Sequence, residues 1–261
     1  MSGDVPVVRV GDPDGPYRRR IRTVTVEPGV VGGGLEDDFH HFEVTLRHDG
    51  ERVTGINVRS RRWPWDTCPD AAANLLPIEG MALSPRCTAV AAVANPRMNC
   101  THQFDLAGLC VSHAARALES RQYDAELPAA IDGITTPRLW RDGELVLTWT
   151  LSWRDGRRRL VDSPPYDAAP WRGGFFRWAD ETFDPDTAEA AIVLRRACEI
   201  AMGRGMDLEA YDSAAELGPM MGDVCYTMQP SVRPVAFRHR GSIRDFAEHP
   251  DALLRDGGRS W

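Results

Sequence analysis

Three short clusters carry the side chains able to do chemistry: Asp38-Phe39-His40-His41, Thr67-Cys68-Pro69 and Asn99-Cys100-Thr101-His102-Gln103. They supply carboxylate, imidazole and thiolate, the donor types that hold a tetrahedral zinc or a ferrous ion. Each cluster alone is a weak signal, because Cys-x-His recurs by chance and a buried cysteine packs as a small hydrophobe. Each also falls at the boundary of an expected element, where packing demands least of it. Asp38, His40, Cys68 and Cys100 are therefore the candidate metal ligands, with His102 as a further ligand or the acid/base. With all four bound the site would be closed and structural; with one held back, an open position would activate water or polarise a carbonyl.

The elements that must position these groups can be read from periodicity. His40, Phe42, Val44 and Leu46 alternate with His41, Glu43, Thr45 and Arg47, which predicts a half-buried strand with Asp38 and His40 on one face at its start. Asp49-Gly50 predicts a two-residue hairpin turn, with residues 53–58 returning as the partner strand. Upstream, residues 21–26 form a short extended run, and Gly32-Gly33-Gly34 is expected to break it as a turn. Cys68-Pro69 starts an Ala-rich helix whose N-terminal dipole favours a thiolate. A second helix over residues 101–118 places Cys100 and His102 at its beginning.

The second half reads differently. Between the turn signals Arg141-Asp142-Gly143 and Arg154-Asp155-Gly156, Leu145, Leu147, Trp149, Leu151 and Trp153 alternate with polar or β-branched residues. That pattern predicts one strand, in an antiparallel meander with residues 137–140 and 157–161. The aromatic segment 163–178 either covers a pocket or folds down onto the core. Asp184-Pro185-Asp186-Thr187 starts a helix that ends at Gly203. Farther on, Cys225 can reach the first-half site only through tertiary folding, and Tyr226 is a candidate catalytic hydrogen-bond donor or a buried structural tyrosine. The Arg-rich tail after Pro230 is expected to lie across the surface.

Composition narrows the function classes. A formal charge of -7 lacks the surplus basic charge that a phosphate backbone demands, so nucleic acid is not an expected partner. Every basic side chain is Arg, and without Lys a Schiff-base mechanism is excluded. The runs Arg18-Arg19-Arg20 and Arg157-Arg158-Arg159 are expected to be solvated surface. No stretch approaches the roughly 20 apolar residues of a membrane span and the N-terminus has no apolar signal core, so a cytoplasmic protein is expected. In that compartment the six cysteines are free thiols or ligands, with Cys87, Cys110 and Cys198 in apolar, core-like contexts. Phosphate-cradling glycine motifs, a Gly-x-Ser-x-Gly elbow and a Cys-x-x-Cys pair are all absent from the sequence.

Over residues 35–120, the order of strand, hairpin partner, cysteine at one helix start and a thiol–imidazole pair at the next resembles the U-type iron–sulfur cluster scaffold fold. Asp38, His40 and Cys68 fall near that fold's ligand positions, but a carboxylate and an imidazole replace soft thiolates. The mixed donors suit zinc or mononuclear iron better than a cluster. His40, Cys68-Pro69, Cys100-Thr101-His102 and Leu106 also resemble, in order, a bacterial family of unknown function with Asp-x-His, Cys-Pro and Cys-Thr-His motifs. The expected architecture is α+β: a scaffold-like antiparallel sheet with helices over residues 1–125, and a Trp-rich antiparallel meander with helices over 126–261 that covers the site. The expected activity is that of a metal-dependent lyase, isomerase or hydrolase on a small apolar or aromatic substrate. A metal- or sulfur-holding scaffold and a metal-free cysteine enzyme are the alternatives, and a homo-oligomer stays open.

Overall fold

In the computed structural model, which describes residues 15–154 and 157–255, the first four strands follow one another as antiparallel hairpins. They are β1 (Tyr17–Glu27), β2 (Val30–Asp37), β3 (His41–His48) and β4 (Val53–Arg62). The helix α1 (Thr101–Ala115) follows, and then β5 (Ser120–Leu127) pairs with the free edge of β1. A short strand β6 (Ile134–Thr135) precedes β7 (Arg138–Arg141) and β8 (Glu144–Thr148), which complete a seven-stranded sheet of order β4-β3-β2-β1-β5-β7-β8. The strands β9 (Leu151–Arg154) and β10 (Arg157–Leu160) join β6 in a second, three-stranded sheet. The helices α2 (Phe175–Thr182), α3 (Pro185–Ile200) and α4 (Ala214–Met221) come last. A large antiparallel sheet with helices is an α+β architecture, and the sheet runs across the division expected at residue 125. Among the described residues no helix is long and apolar enough to cross a membrane.

Strand alternation determines what the helices cover. Tyr17, Arg19, Ile21 and Thr23 of β1 lie opposite Asp37, Leu35 and Gly33 of β2 in the register Arg19↔Asp37, Ile21↔Leu35, Thr23↔Gly33. The same face continues through Phe42, Val44 and Leu46 on β3, all buried. Helix α1 packs across β1, β2 and β3, and α3 packs on β5. Asp184 caps α3, accepting hydrogen bonds from the N–H groups of Asp186 and Thr187.

Several expectations are corrected by packing. The Gly32-Gly33-Gly34 triplet lies inside β2 and is no turn, because α1 presses on the sheet there: a Cβ on Gly33 would sit 2.6 Å from Cys110 Sγ and 3.0 Å from Leu106 Cδ1. The single strand expected over residues 145–153 breaks at Trp149 and Thr150 into β8 and β9, in different sheets. Trp149 turns into the core, with its ring centroid 5.2 Å from Tyr166 and 6.0 Å from Phe175. Of the two readings left open for segment 163–178, the structure shows it largely folded onto the core, with Tyr166, Trp171 and Phe175 buried. The helix at Cys68 is a 3-10 helix, Cys68–Ile78, with Pro69 in its first turn and Pro77 near its end lacking the N–H that an α-helix would use. Asp155 and Gly156 of the second turn signal lie outside the described residues.

The arginine runs and the tail also differ from expectation. Arg19 is only 2 % exposed, since alternation turns it inward while Arg18 and Arg20 point out to Glu126 and Asp124. The segment after Pro230 does not merely lie across the surface. It buries Arg238, Ser242, Ile243 and Phe246, and bonds to the β2–β3 connection through the Arg244 N–H, which donates to Asp38 O at 2.8 Å.

Candidate metal centre

The β2–β3 hairpin builds the first two members of the site. Its register sets Leu35 opposite Phe42 and Glu36 opposite His41, and one further step sets Asp37 across from His40. The Asp37 N–H donates to His40 O at 2.9 Å, leaving Asp38 and Phe39 as the turn. The Asp37 side chain closes that turn: Oδ1 accepts the N–H groups of Phe39 at 2.9 Å and His40 at 2.8 Å. The same oxygen lies 3.0 Å from His40 Nδ1, while Oδ2 accepts from the Tyr17 hydroxyl at 2.9 Å.

The third member arrives from α1. Cys100 is the residue before its first turn and caps it without a side-chain bond. His102, one step into the helix, brings Nε2 to 3.5 Å from Asp37 Oδ2 and stacks its ring on His40 with 3.5 Å between centroids. Behind the hairpin, the buried Arg62 donates to the carbonyls of Asp37 (2.5 Å), Asp38 (2.8 Å), His40 (3.3 Å) and Ser242 (2.9 Å), and to Glu36 Oε1 at 3.2 Å. One guanidinium thus ties the turn to the C-terminal segment.

The electrostatics set the protonation states. Burial pushes the Asp37 carboxyl up, but the neighbouring His40 and His102 imidazoles outweigh it and hold it well below the usual carboxylate range. Burial lowers both imidazoles, and for His102 the adjacent His40 adds to the fall. The state at neutral pH is an ionised carboxylate beside two neutral imidazoles, the form a cation requires of these ligands. Among the described residues, Asp37, His40 and His102 form the one group whose potential ligand atoms all lie within 4.8 Å of one another. His102 Nε2 is buried there with no hydrogen-bond partner, an orphaned ring nitrogen that a bound ion would satisfy. Two imidazoles and one carboxylate on one side suit ferrous iron, or zinc with an open position.

The structure redistributes the residues chosen from sequence. His40 and His102 come together. Asp38, in the turn, points away: its Oδ2 lies 2.5 Å from Arg204 Nη1, and Arg204 also pairs with Asp245. Burial pushes the Asp38 carboxyl up to about 7, against the pull of Arg204. Cys68 and Cys100 lie outside the ligand group and instead line an adjoining cavity of about 160 Å³, together with Cys225, His40 and His102. Cys100 Sγ is 4.0 Å from His102 Nδ1, and Cys68 Sγ is 3.6 Å from Thr227 Oγ1. Burial raises both thiols, Cys68 to about 12. Tyr226 gives its backbone N–H to Asn99 O at 3.0 Å, and its neighbours Cys225 and Thr227, rather than Tyr226 itself, line the cavity. Asp37 is the site residue that sequence reasoning missed. The chain matches no family model, no curated protein and no solved structure, so the reading of this site rests on its geometry.

Proposed function

We propose that this protein is a metal-dependent enzyme in which Asp37, His40 and His102 hold a zinc or ferrous ion beside a small apolar cavity. The observation that carries the reading is the buried, ionised Asp37 with two neutral imidazoles around it, one of them with its Nε2 unsatisfied. Three protein ligands leave room for a substrate or water, and an ion held this way acts as a Lewis acid on a carbonyl or lowers the pKa of bound water. Lyase, isomerase and hydrolase chemistry all use that property.

The surrounding residues support such a role. Tyr17 and the backbone N–H groups of Phe39 and His40 fix the Asp37 carboxylate in orientation, the outer-shell function that metal ligands need. The adjoining cavity of about 160 Å³ has the size of an engineered void of about 150 Å³ that admits benzene, so it accepts one small ring or branched chain. Cysteine thiols and methionine thioethers form part of its wall. Elemental analysis of protein purified without added metal tests the proposal: near-stoichiometric zinc or iron is expected, lost in His102→Ala and retained in Cys68→Ser. Metal-free wild-type protein whose melting temperature ignores chelator and added ions would defeat it.

A second reading has its own observation. The 3.0 Å contact between Asp37 Oδ1 and His40 Nδ1 also suits a proton-transfer dyad, with Cys68 or Cys100 as the nucleophile of a metal-free enzyme. The raised thiols weigh against it, since neither is a thiolate at neutral pH.

A further inference from the structure

Where the three-stranded sheet meets the end of α3 lies a cavity of about 380 Å³, walled by Tyr17, Leu127, Leu151, Trp153, Cys198 and Met202 together with smaller residues. That volume is within the range of small-molecule sites. Two arginines, Arg158 and Arg204, also line it, and among the described residues no carboxylate does. Arg204 is already held by Asp38 and Asp245. Arg158 forms no ion pair with any described residue: Glu199, the nearby acid whose charge acts on it, is taken by Arg195 and Arg196, each at 2.7 Å. The cavity therefore carries one cation that nothing neutralises.

The hairpin determines how that cation is presented. Arg158 of β10 lies directly across from Trp153 of β9, and its Cζ stands 4.1 Å from the centre of the indole ring. A stacked guanidinium uses its face and keeps its in-plane N–H groups for acceptors at its edge. Of its three nitrogens only Nη1 has such an acceptor, Cys198 O at 3.4 Å, and none of the three is sealed from its surroundings. The Nε and Nη2 edge is thus open, oriented and unmatched. Trp153 is itself 52 % exposed, so part of its ring is available beside that edge. We infer that this cavity binds a small aromatic carboxylic acid, its carboxylate taken bidentately by Nε and Nη2 of Arg158 and its ring set against Trp153, Leu127 and Leu151. The planar fork matches a carboxylate, and a single unpaired positive charge suits a monoanion better than a phosphate dianion. The inference does not rest on the metal reading, since Arg158 and Trp153 line this cavity and not the one beside the metal centre.

The test is calorimetric titration of the purified protein with benzoate and 3-phenylpropanoate, with their neutral amides, and with phenyl phosphate. Saturable binding of at least one acid is expected, about tenfold or more tighter than its amide, because a charged hydrogen-bonded pair is lost in the amide. Arg158→Met should abolish that preference. Trp153→Ala, a change at an exposed residue, should weaken binding of the acid severalfold, and it decides the matter if Arg158→Met does not fold. His102→Ala, which removes a proposed metal ligand, should bind the acid as wild type does, so failure of the metal reading leaves the result standing. Equal affinity for acid and amide, tighter binding of phenyl phosphate, undiminished binding in Arg158→Met or Trp153→Ala, or no binding of any probe would overturn the inference. Binding lost in His102→Ala and kept in Arg158→Met would place the carboxylate on the ion instead, and would overturn it equally.

Discussion

Replacing Arg62 by Met tests whether the metal-centre turn is held by the cation behind it. Its guanidinium meets five acceptors, and they are not equivalent. His40 O and Asp38 O keep the N–H groups of Asp37 and Arg244 as second donors, and Glu36 keeps the Leu254 N–H. The loss therefore concentrates on Asp37 O and Ser242 O. Hydrogen bonds to a charged group are worth about 1.5–3 kcal/mol each, and removing one partner of a buried charged set costs about 3–5 kcal/mol. Methionine fills part of the space and avoids a large cavity, so about 3–5 kcal/mol is the expected destabilisation. For a chain of this length, at about 2 °C per kcal/mol, that corresponds to roughly 6–10 °C in melting temperature.

The assay is urea and thermal unfolding of Arg62→Met beside Arg59→Met, an exposed arginine on the same strand whose loss should stay within about 0.5 kcal/mol. Metal affinity should fall with stability in the Arg62 variant alone, because the turn that aligns Asp37 with His40 is tied down by it. An Arg62→Met protein within about 1 kcal/mol of the control would show that the carbonyl contacts do not hold the turn, and the account of how the site is positioned would be wrong.

Other perturbations probe separate links. Gly33→Ala places a methyl 2.6 Å from Cys110 Sγ and should destabilise by about 1–3 kcal/mol; adding Cys110→Ala should recover part of it, and strictly additive losses in chemical denaturation would contradict the close approach of α1. Burial pushes Asp38 up to about 7 in the folded protein from 3.8 for the free side chain, so its contribution is complete below about pH 4 and is lost as pH rises through 7. Wild type should accordingly lose roughly 2–4 kcal/mol relative to Asp38→Asn between pH 4 and 8, and a relative gain over that range would refute the burial argument. Chelator treatment should lower the melting temperature of wild type and leave His102→Ala unmoved, with an equal shift in both counting against the metal centre.

Local chemistry was legible in the sequence, while the pairing that brings it together was only partly so. The alternation over His40, Phe42, Val44 and Leu46 correctly marks the inward face of β3, and the Asp-Pro start of α3 is a cap whose side chain does what its type dictates. The Ala-rich stretch after Cys68 reads as an ordinary helix, yet it forms 3-10 turns, and Pro77 denies its end an α-helical N–H. The strand over residues 145–153 has uninterrupted period-two alternation, and nothing local signals the break at Trp149. That break follows from a tertiary partner, the aromatic group of Tyr166, Trp171 and Phe175, which a one-dimensional pattern does not contain. Arg19 was misplaced for a related reason: composition reads an arginine run as surface, whereas the pleat places the middle member inside.

The choice between Asp37 and Asp38 follows from one such pairing. In an antiparallel pair each residue faces a partner whose number changes in the opposite sense, and here Leu35 faces Phe42. If residues 32–34 are read as a turn, β2 does not exist, and parity counted along the chain from His40 selects Asp38. Once the glycines are recognised as strand positions, with Gly33 kept bare for α1, β2 extends to Asp37, and the register that buries Leu35 against Phe42 also sets Asp37 across from His40. The same step moves Asp38 into the turn, where Arg204 is its partner. A one-residue shift in a hairpin sends every side chain to the opposite face, so the identity of the carboxylate beside the two imidazoles follows once the three glycines are strand, the middle one kept bare for a helix.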